Sequence, residues 1–193
     1  MEQQPLILAS QSPRRKYLLE QAGLVFKVVP SQIDENAFTH RRPDKHVKKL
    51  ASAKADDIAI QNPGRWVIGA DTIVFINASI LEKPTSKANA RMMIQLLNGK
   101  THQVFTGFAI CNYQQAYRYV DYVKTDVHFK RLSEAEIEWY LQTDEPYDKA
   151  GAYAIQGLGA SLIKKINGSY TNVVGLPVCE VIDHLMNTGA VTR

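Results

Sequence analysis

A chain of 193 residues with 45% hydrophobic and 22% charged residues reads as one globular domain with a sizeable core, which excludes a disordered or fibrous protein. Lys and Arg number 23 against 19 Asp and Glu, so a net charge of +4 favours anionic partners, while no long basic tract marks a nucleic-acid tail. No apolar run reaches the ~18 residues of a membrane span, and Pro5 with its polar neighbours lacks the order of a signal sequence. The two cysteines, Cys111 and Cys179, lie in apolar contexts without metal spacing and read as buried thiols of a reducing, cytoplasmic compartment.

Leu6-Ile7-Leu8-Ala9 reads as a short strand running into Ser10-Gln11-Ser12-Pro13-Arg14-Arg15-Lys16. Ser12 suits an N-cap and Pro13 a first helical position, so a helix is predicted from here to Gly23, with Tyr17, Leu18 and Ala22 facing the core. Three cations then fall in the first turn, where the macrodipole disfavours positive charge by about 0.3–1 kcal/mol each. A bound anion would reverse that cost. Strand, hydroxyl-bearing turn, helix N-terminus and the pair Arg14 and Arg15 therefore predict a phosphate site, with solvated surface arginines as the alternative. Val25 to Pro30 reads as a second strand, and the loop after it carries Asp34 and Glu35, a pair that suits solvation as well as chemistry.

From Pro43 to about Ile60 a helical stripe runs through Val47, Leu50, Ala51, Ala55, Ile58 and Ala59. Lys54 falls near that stripe, where an ammonium either faces an anion or snorkels to the edge. The run from Trp66 to Phe75, bounded by Asn62-Pro63-Gly64, reads as a buried strand with Asp71 set in its middle. Unpaired, that carboxylate would cost several kcal/mol. Gly69 and Ala70 beside it leave room above the backbone for something bulky, so Asp71 is either a structural carboxylate at a strand bend or a catalytic or metal-binding one at a strand interruption.

Asn77-Ala78-Ser79 is a hairpin turn into Ile80 to Pro84, a return strand that would set Lys83 beside Asp71 or leave it as an exposed edge lysine. Ser86 can cap a helix carrying Ala90, Met93, Leu96 and Leu97 and ended by Asn98-Gly99. Thr101 to Cys111 and Tyr117 to Phe129 alternate as an antiparallel pair, with His102 and His128 structural. Ser133 to Glu136 is a capping box. Asp144 to Gly159 is rich in glycine and alanine and breaks both periodicities, which suits a backbone-lined pocket wall for a flat ligand or a plain connector. Ala160 to Ile166 reads as a strand, Asn167-Gly168-Ser169 as a turn, and Val173 to Pro177 leads into a terminal helix through Ile182 and Leu185.

Taken together, Leu8-Ala9-Ser10-Gln11-Ser12-Pro13-Arg14-Arg15, Gly69-Ala70-Asp71-Thr72, Glu82-Lys83-Pro84, Asp148 to Gly157 and Asn172-Val173-Val174-Gly175-Leu176-Pro177 resemble the Maf family, collinearly and over nearly the whole chain. The resemblance implies an α/β fold, an elongated mixed sheet flanked by helices with two lobes around a cleft, similar to inosine triphosphatases. It implies a single Maf-like domain over residues 1–193, its two lobes without a linker. It also implies a house-cleaning nucleoside triphosphate pyrophosphatase that uses Mg²⁺ or another divalent cation and forms a homodimer in the cytoplasm, with no nucleic-acid or membrane partner. Asp71 matches the acidic residue assigned as proton acceptor, while Arg14, Thr72 and Gln156 match positions that distinguish substrate subgroups.

Arg14, Ala70-Asp71-Thr72 and Ile155-Gln156-Gly157 resemble the dTTP/UTP branch, and the Trp, Ser-Asp-Gln and Ser-Glu-Gly features of the 7-methyl-GTP branch do not occur here. On this resemblance, Asp71 with Glu35 or Asp34 holds the metal and orients the water. Lys54 and Lys83, with Arg14 and Arg15, neutralise the triphosphate, and Ser10 with the helix N-terminus donates to it. Thr72 and Gln156 read the pyrimidine edge, modified pyrimidines included, since an amide offers both donor and acceptor. A nucleotide-sensing regulator of cell division is the reading from a different class.

Overall fold

In a computed structural model that describes residues 6–192, the apolar runs become strands of one mixed sheet. The chain runs β1 (Leu6–Leu8), α1 (Pro13–Gln21), β2 (Phe26–Val28), α2 (Pro43–Gln61), β3 (Val67–Ile76) and β4 (Ser79–Leu81). It continues through α3 (Lys87–Leu97), β5 (Thr101–Asn112), β6 (Tyr117–Phe129), α4 (Glu134–Leu141), β7 (Ile163–Asn167), α5 (Tyr170–Val174) and α6 (Val178–Asn187). The seven strands are ordered β2-β1-β3-β5-β6-β7, with β4 paired to β3. β1 is parallel to both neighbours, Leu6 opposite Phe26 and Ile7 opposite Val67, and α1 and α2 supply the crossovers that parallel pairing requires. β4 and β7 pair antiparallel, with Val74 opposite Leu81 and Val127 opposite Ile166. The Pro5 stretch read above for a signal sequence lies outside the described residues.

The described residues divide into two compact units. Those of Met1–Asp71, Thr106–Val123 and Gly175–Arg193 form the first, and Thr72–Phe105 with Lys124–Val174 the second. The first is built on Ile7 and Ala9, Ala51, Ala55 and Ile58 of α2, Val67, Ala109 and Cys111. The second packs Val74 and Ile76 with Met93, Ile94 and Leu97 of α3, Val127 and Phe129 of β6, and Ile137, Tyr140 and Leu141 of α4. Each such Leu, Ile or Phe withdrawn from water contributes roughly 1.5–3 kcal/mol. Among the described residues no helix is long and apolar enough to cross a membrane.

The predicted caps form. Ser12 Oγ accepts from the Arg15 amide and Ser86 Oγ from the Asn89 amide, while Ser133 and Glu136 close a reciprocal capping box. Asn77 and Ala78 take left-handed φ of 50° and 59°, the backbone a two-residue hairpin needs. Several expectations are corrected. Tyr17 is 49% exposed, and Leu18 with Leu19 forms the buried face of α1. Cys179 is exposed on α6, whereas Cys111 is buried and its thiol pKa is pushed up to about 12, chiefly by that burial. Residues 157–162 form a 3₁₀ segment, so the strand expected from Ala160 begins only at Ile163. β3 continues through Asp71 without a break. The return strand ends at Leu81 and its register covers Val74 to Ile76, so Lys83 lies past the strand, exposed, and not on it.

His102 of β5 is 1% exposed, edge-on to Phe129, with Nε2 2.6 Å from the Tyr153 hydroxyl and, among the described residues, no partner at Nδ1. A charged imidazole would bury an unmatched N–H, and burial accordingly lowers its pKa from 6.5 to about 3, with the His128 charge adding to the effect. The unfolded chain therefore takes up this proton near pH 6.5 and the folded one only near pH 3. The stability from neutral His102 is complete above the first value and is lost as pH falls towards the second, at about 1.4 kcal/mol per unit. Denaturant unfolding of wild type and H102Q between pH 7 and 4 should show that extra slope in the wild type alone, and equal slopes would contradict a buried neutral imidazole.

Candidate active site

The site grows from one close approach. A Cβ on Gly69 of β3 would collide with the Ala51 carbonyl oxygen and lie 2.7 Å from the Ala55 amide nitrogen, so the missing side chain lets the α2 backbone settle directly on the strand. Gly107 of β5 does the same beneath Val47. The room read above Gly69 is thus filled by α2. Side chains alternate along a strand, so Asp71 shares the face of Gly69 and meets the helix one step further on. There Lys54 Nζ donates to Asp71 Oδ1 at 2.9 Å and also lies 3.0 Å from Glu35 Oε1. Lys54 and Asp71 are 8% and 7% exposed, so the lysine does not snorkel; it meets an anion inside its own unit.

Glu35 and Asp34 separate by role. Asp34 Oδ1 accepts from the Asn36 backbone and side chain and caps the 3₁₀ turn Glu35–Phe38, which turns Glu35 towards Lys54. The preceding loop is pinned to α2 by Asp57, which accepts from Ser31 Oγ at 2.9 Å and the Gln32 amide at 3.0 Å. The sequence reading passed over Asp57; its place one helical turn beyond Lys54 was the signal.

At the head of α1, Arg15 is braced, with Nη1 donating to Ser10 Oγ at 3.0 Å and Nε to the Gly175 carbonyl at 2.8 Å. Ser10 Oγ also accepts from the Ser12 amide, so both of its lone pairs are engaged and its own proton is left to donate. Burial lowers the Arg15 pKa from its usual value, while the charges of Asp71 and Glu35 oppose that shift and Arg14 adds to it. Arg14, Arg15 and Lys54 thus share one electrostatic neighbourhood with Asp71 and Glu35, and cation outweighs anion in it. Such a surplus favours a polyanion such as a phosphate chain.

Thr72, Lys83 and Gln156 belong to the second unit. Thr72 and Gln156 are half-buried and Lys83 is exposed. Among the described residues the Gln156 amide has no hydrogen-bonding partner, and the turn after it is tied to Glu145 through the amides of Leu158 and Gly159.

A metal would find limited protein ligation. Among the described residues Asp71 Oδ2 is buried without a hydrogen-bond partner, and Glu35 is the second carboxylate on the same lysine. Among the described residues no group of three or more His, Cys, Asp and Glu is assembled. This donor set fits Mg²⁺, which keeps several waters and is held by one or two carboxylates together with substrate phosphates.

The model for the family described as "Maf-like protein" matches residues 5–188. The chain is 49% identical over 186 residues to the dTTP/UTP pyrophosphatase of Geotalea uraniireducens, 96% of both chains. It is 48% identical over 190 residues to the dTTP/UTP pyrophosphatase of Citrifermentans bemidjiense, 98% of both. Among solved structures, the Staphylococcus aureus Ham1 protein aligns with 82% of this chain and 79% of its own at 13% identity and a TM-score of 0.49. With a family model spanning almost its full length and relatives near half identical from end to end, this chain belongs to the Maf family.

Proposed function

We propose that this chain is a nucleoside triphosphate pyrophosphatase that hydrolyses dTTP and UTP to the monophosphate and pyrophosphate. The observation that carries the reading is the buried Lys54–Asp71 pair with Glu35 beside it, in a chain 48–49% identical over nearly its full length to named dTTP/UTP pyrophosphatases. Asp71 has one oxygen fixed by Lys54 and one without a partner among the described residues, and the second oxygen accepts the proton of the attacking water. Lys54, donating to the other oxygen at 2.9 Å, stops the carboxylate from turning. Arg14, Arg15 and Lys83 balance charge on the phosphates, with the Ser10 hydroxyl and the α1 N-terminus as neutral donors, so that negative charge growing on the departing pyrophosphate is met by groups already in place.

Mg²⁺ or another divalent cation, held by Asp71 and Glu35, would supply further charge neutralisation at the phosphates. Asp34, engaged in its cap, is left out of that set. Thr72 and Gln156 meet the nucleobase, where the unengaged Gln156 amide can give and accept a hydrogen bond with a uracil or thymine edge. A cytoplasmic homodimer without nucleic-acid or membrane partners is the setting this reading implies.

Pyrophosphate release, screened over dTTP, UTP and 7-methyl-GTP with and without Mg²⁺, tests the assignment. Wild type should favour the two pyrimidines by about tenfold or more. D71N should lower kcat on dTTP by ~10²–10⁴-fold, the usual worth of a general base. Its Tm should stay within about 4 °C, because Glu35 still faces Lys54 in that variant. Comparable turnover by D71N would sink the role of Asp71. Q156E should change the ranking of bases more than the overall rate, and an unaltered substrate profile would remove Gln156 from base recognition.

A further inference from the structure

The Gln156 side chain makes no protein hydrogen bond among the described residues, so the backbone on either side must place it. That backbone is not held by regular structure. Gly157 takes φ +70°, and Gln156, at the N-cap of the 3₁₀ segment, makes no capping bond with its side chain. What holds it is a network centred on one carboxylate. Glu145 Oε2 accepts from the Leu158 amide at 2.9 Å, and Oε1 accepts from the Gly159 amide at 2.7 Å and from the Tyr140 hydroxyl at 2.9 Å. The Tyr140 hydroxyl in turn accepts from the Ala154 amide at 3.2 Å. The chain is thus tied before Gln156 at residue 154 and after it at residues 158 and 159.

The anchor points are rigid. Tyr140 is fully buried on α4, beside Ile137 and Leu141 in the core of the second unit. Glu145 is fixed by its own backbone, its carbonyl accepting from Lys149 Nζ at 2.6 Å and its neighbour Pro146 buried. The glycines fit the same arrangement. A Cβ at Gly157 would strike the Glu145 carboxylate, and one at Gly159 would strike the Ala154 carbonyl oxygen and come within 2.7 Å of the Tyr140 hydroxyl. Only an acceptor-only group with two oxygens satisfies three donors here, since an amide would present an N–H₂ to one of the backbone N–H groups.

We propose that Glu145, braced by Tyr140, is a positioning residue that holds the Gln156 turn in place and thereby sets the preference for pyrimidine over purine triphosphates. The selectivity part rests on the reading of Gln156 as a base-contacting residue; the positioning part does not. Hydrogen exchange and steady-state kinetics on E145Q, Y140F and Q156A test the two parts separately. In E145Q the Leu158 and Gly159 amides should exchange at least about tenfold faster than in wild type, as expected when a charge-assisted bond is lost and local opening becomes easier.

KM for dTTP should rise about tenfold with kcat within about threefold, and the preference for dTTP over dGTP should narrow by about tenfold, as in Q156A. Y140F, which removes the hydroxyl and keeps the ring, should move the same readouts in the same direction and serves if E145Q does not fold. Unchanged amide exchange in both variants overturns the positioning claim. Faster exchange with wild-type KM and preference overturns the selectivity claim. A wild type inert towards dTTP would overturn the functional reading instead, while amide exchange would still decide whether Glu145 holds the turn.

Discussion

Much of the first unit depends on the contact between α2 and β3 at Gly69. Without a side chain there, the helix backbone lies against the strand, and that spacing brings Lys54 to within 2.9 Å of the Asp71 carboxylate. Neither charge could stay in this interior alone, since an isolated ion loses several kcal/mol of hydration on burial. The pair is therefore poor evidence for stability and good evidence for function, because well-packed apolar residues would fill the same volume at least as favourably. An Asp with one oxygen fixed and the other without a partner among the described residues is half satisfied, an arrangement that pays its way only if something binds there.

Around that pair the first unit assembles an electrostatic setting suited to phosphates. Besides its charge, Arg15 ties Ser10 and the Gly175 carbonyl together and so fixes the turn ahead of α1 from which donors project. Asp57 does the corresponding work for the loop that carries Glu35. In the second unit Glu145 and Tyr140 do it for the turn that carries Gln156. Asp57 and Glu145 need not touch substrate; each holds the backbone of a residue that would, which is how short loops attain the precision a reaction needs.

The sequence was most legible where local rules govern. Ser12, Ser86 and the Ser133–Glu136 box mark helix starts because capping is a contact between residues three positions apart, and the stripe of α2 is buried as its periodicity predicts. Asp71 stood out because a carboxylate in an apolar run is costly, and the Lys54 ammonium on the α2 stripe could be named as needing an anion. Pairing the two required knowing that Gly69 seats a helix, which is a tertiary fact. The same limit explains the misreadings. Tyr17 lies on the outer side of α1 because Leu18 and Leu19 take the core, and residues 157–162 curl into 3₁₀ turns because Glu145, distant in sequence, gathers their amides. Asp57 and Glu145 carry no local signature, since an acidic residue on a helix or in a loop is ordinarily solvated.

The central claim is that Lys54 and Asp71 act as one catalytic unit, and a double-mutant cycle on kcat/KM for dTTP with K54M, D71N and the double variant tests it most directly. If Lys54 works by holding and orienting Asp71, the double variant should lie within about threefold of D71N, since groups acting together are lost together. Losses that multiply across the two substitutions would show the residues acting independently and would contradict the account.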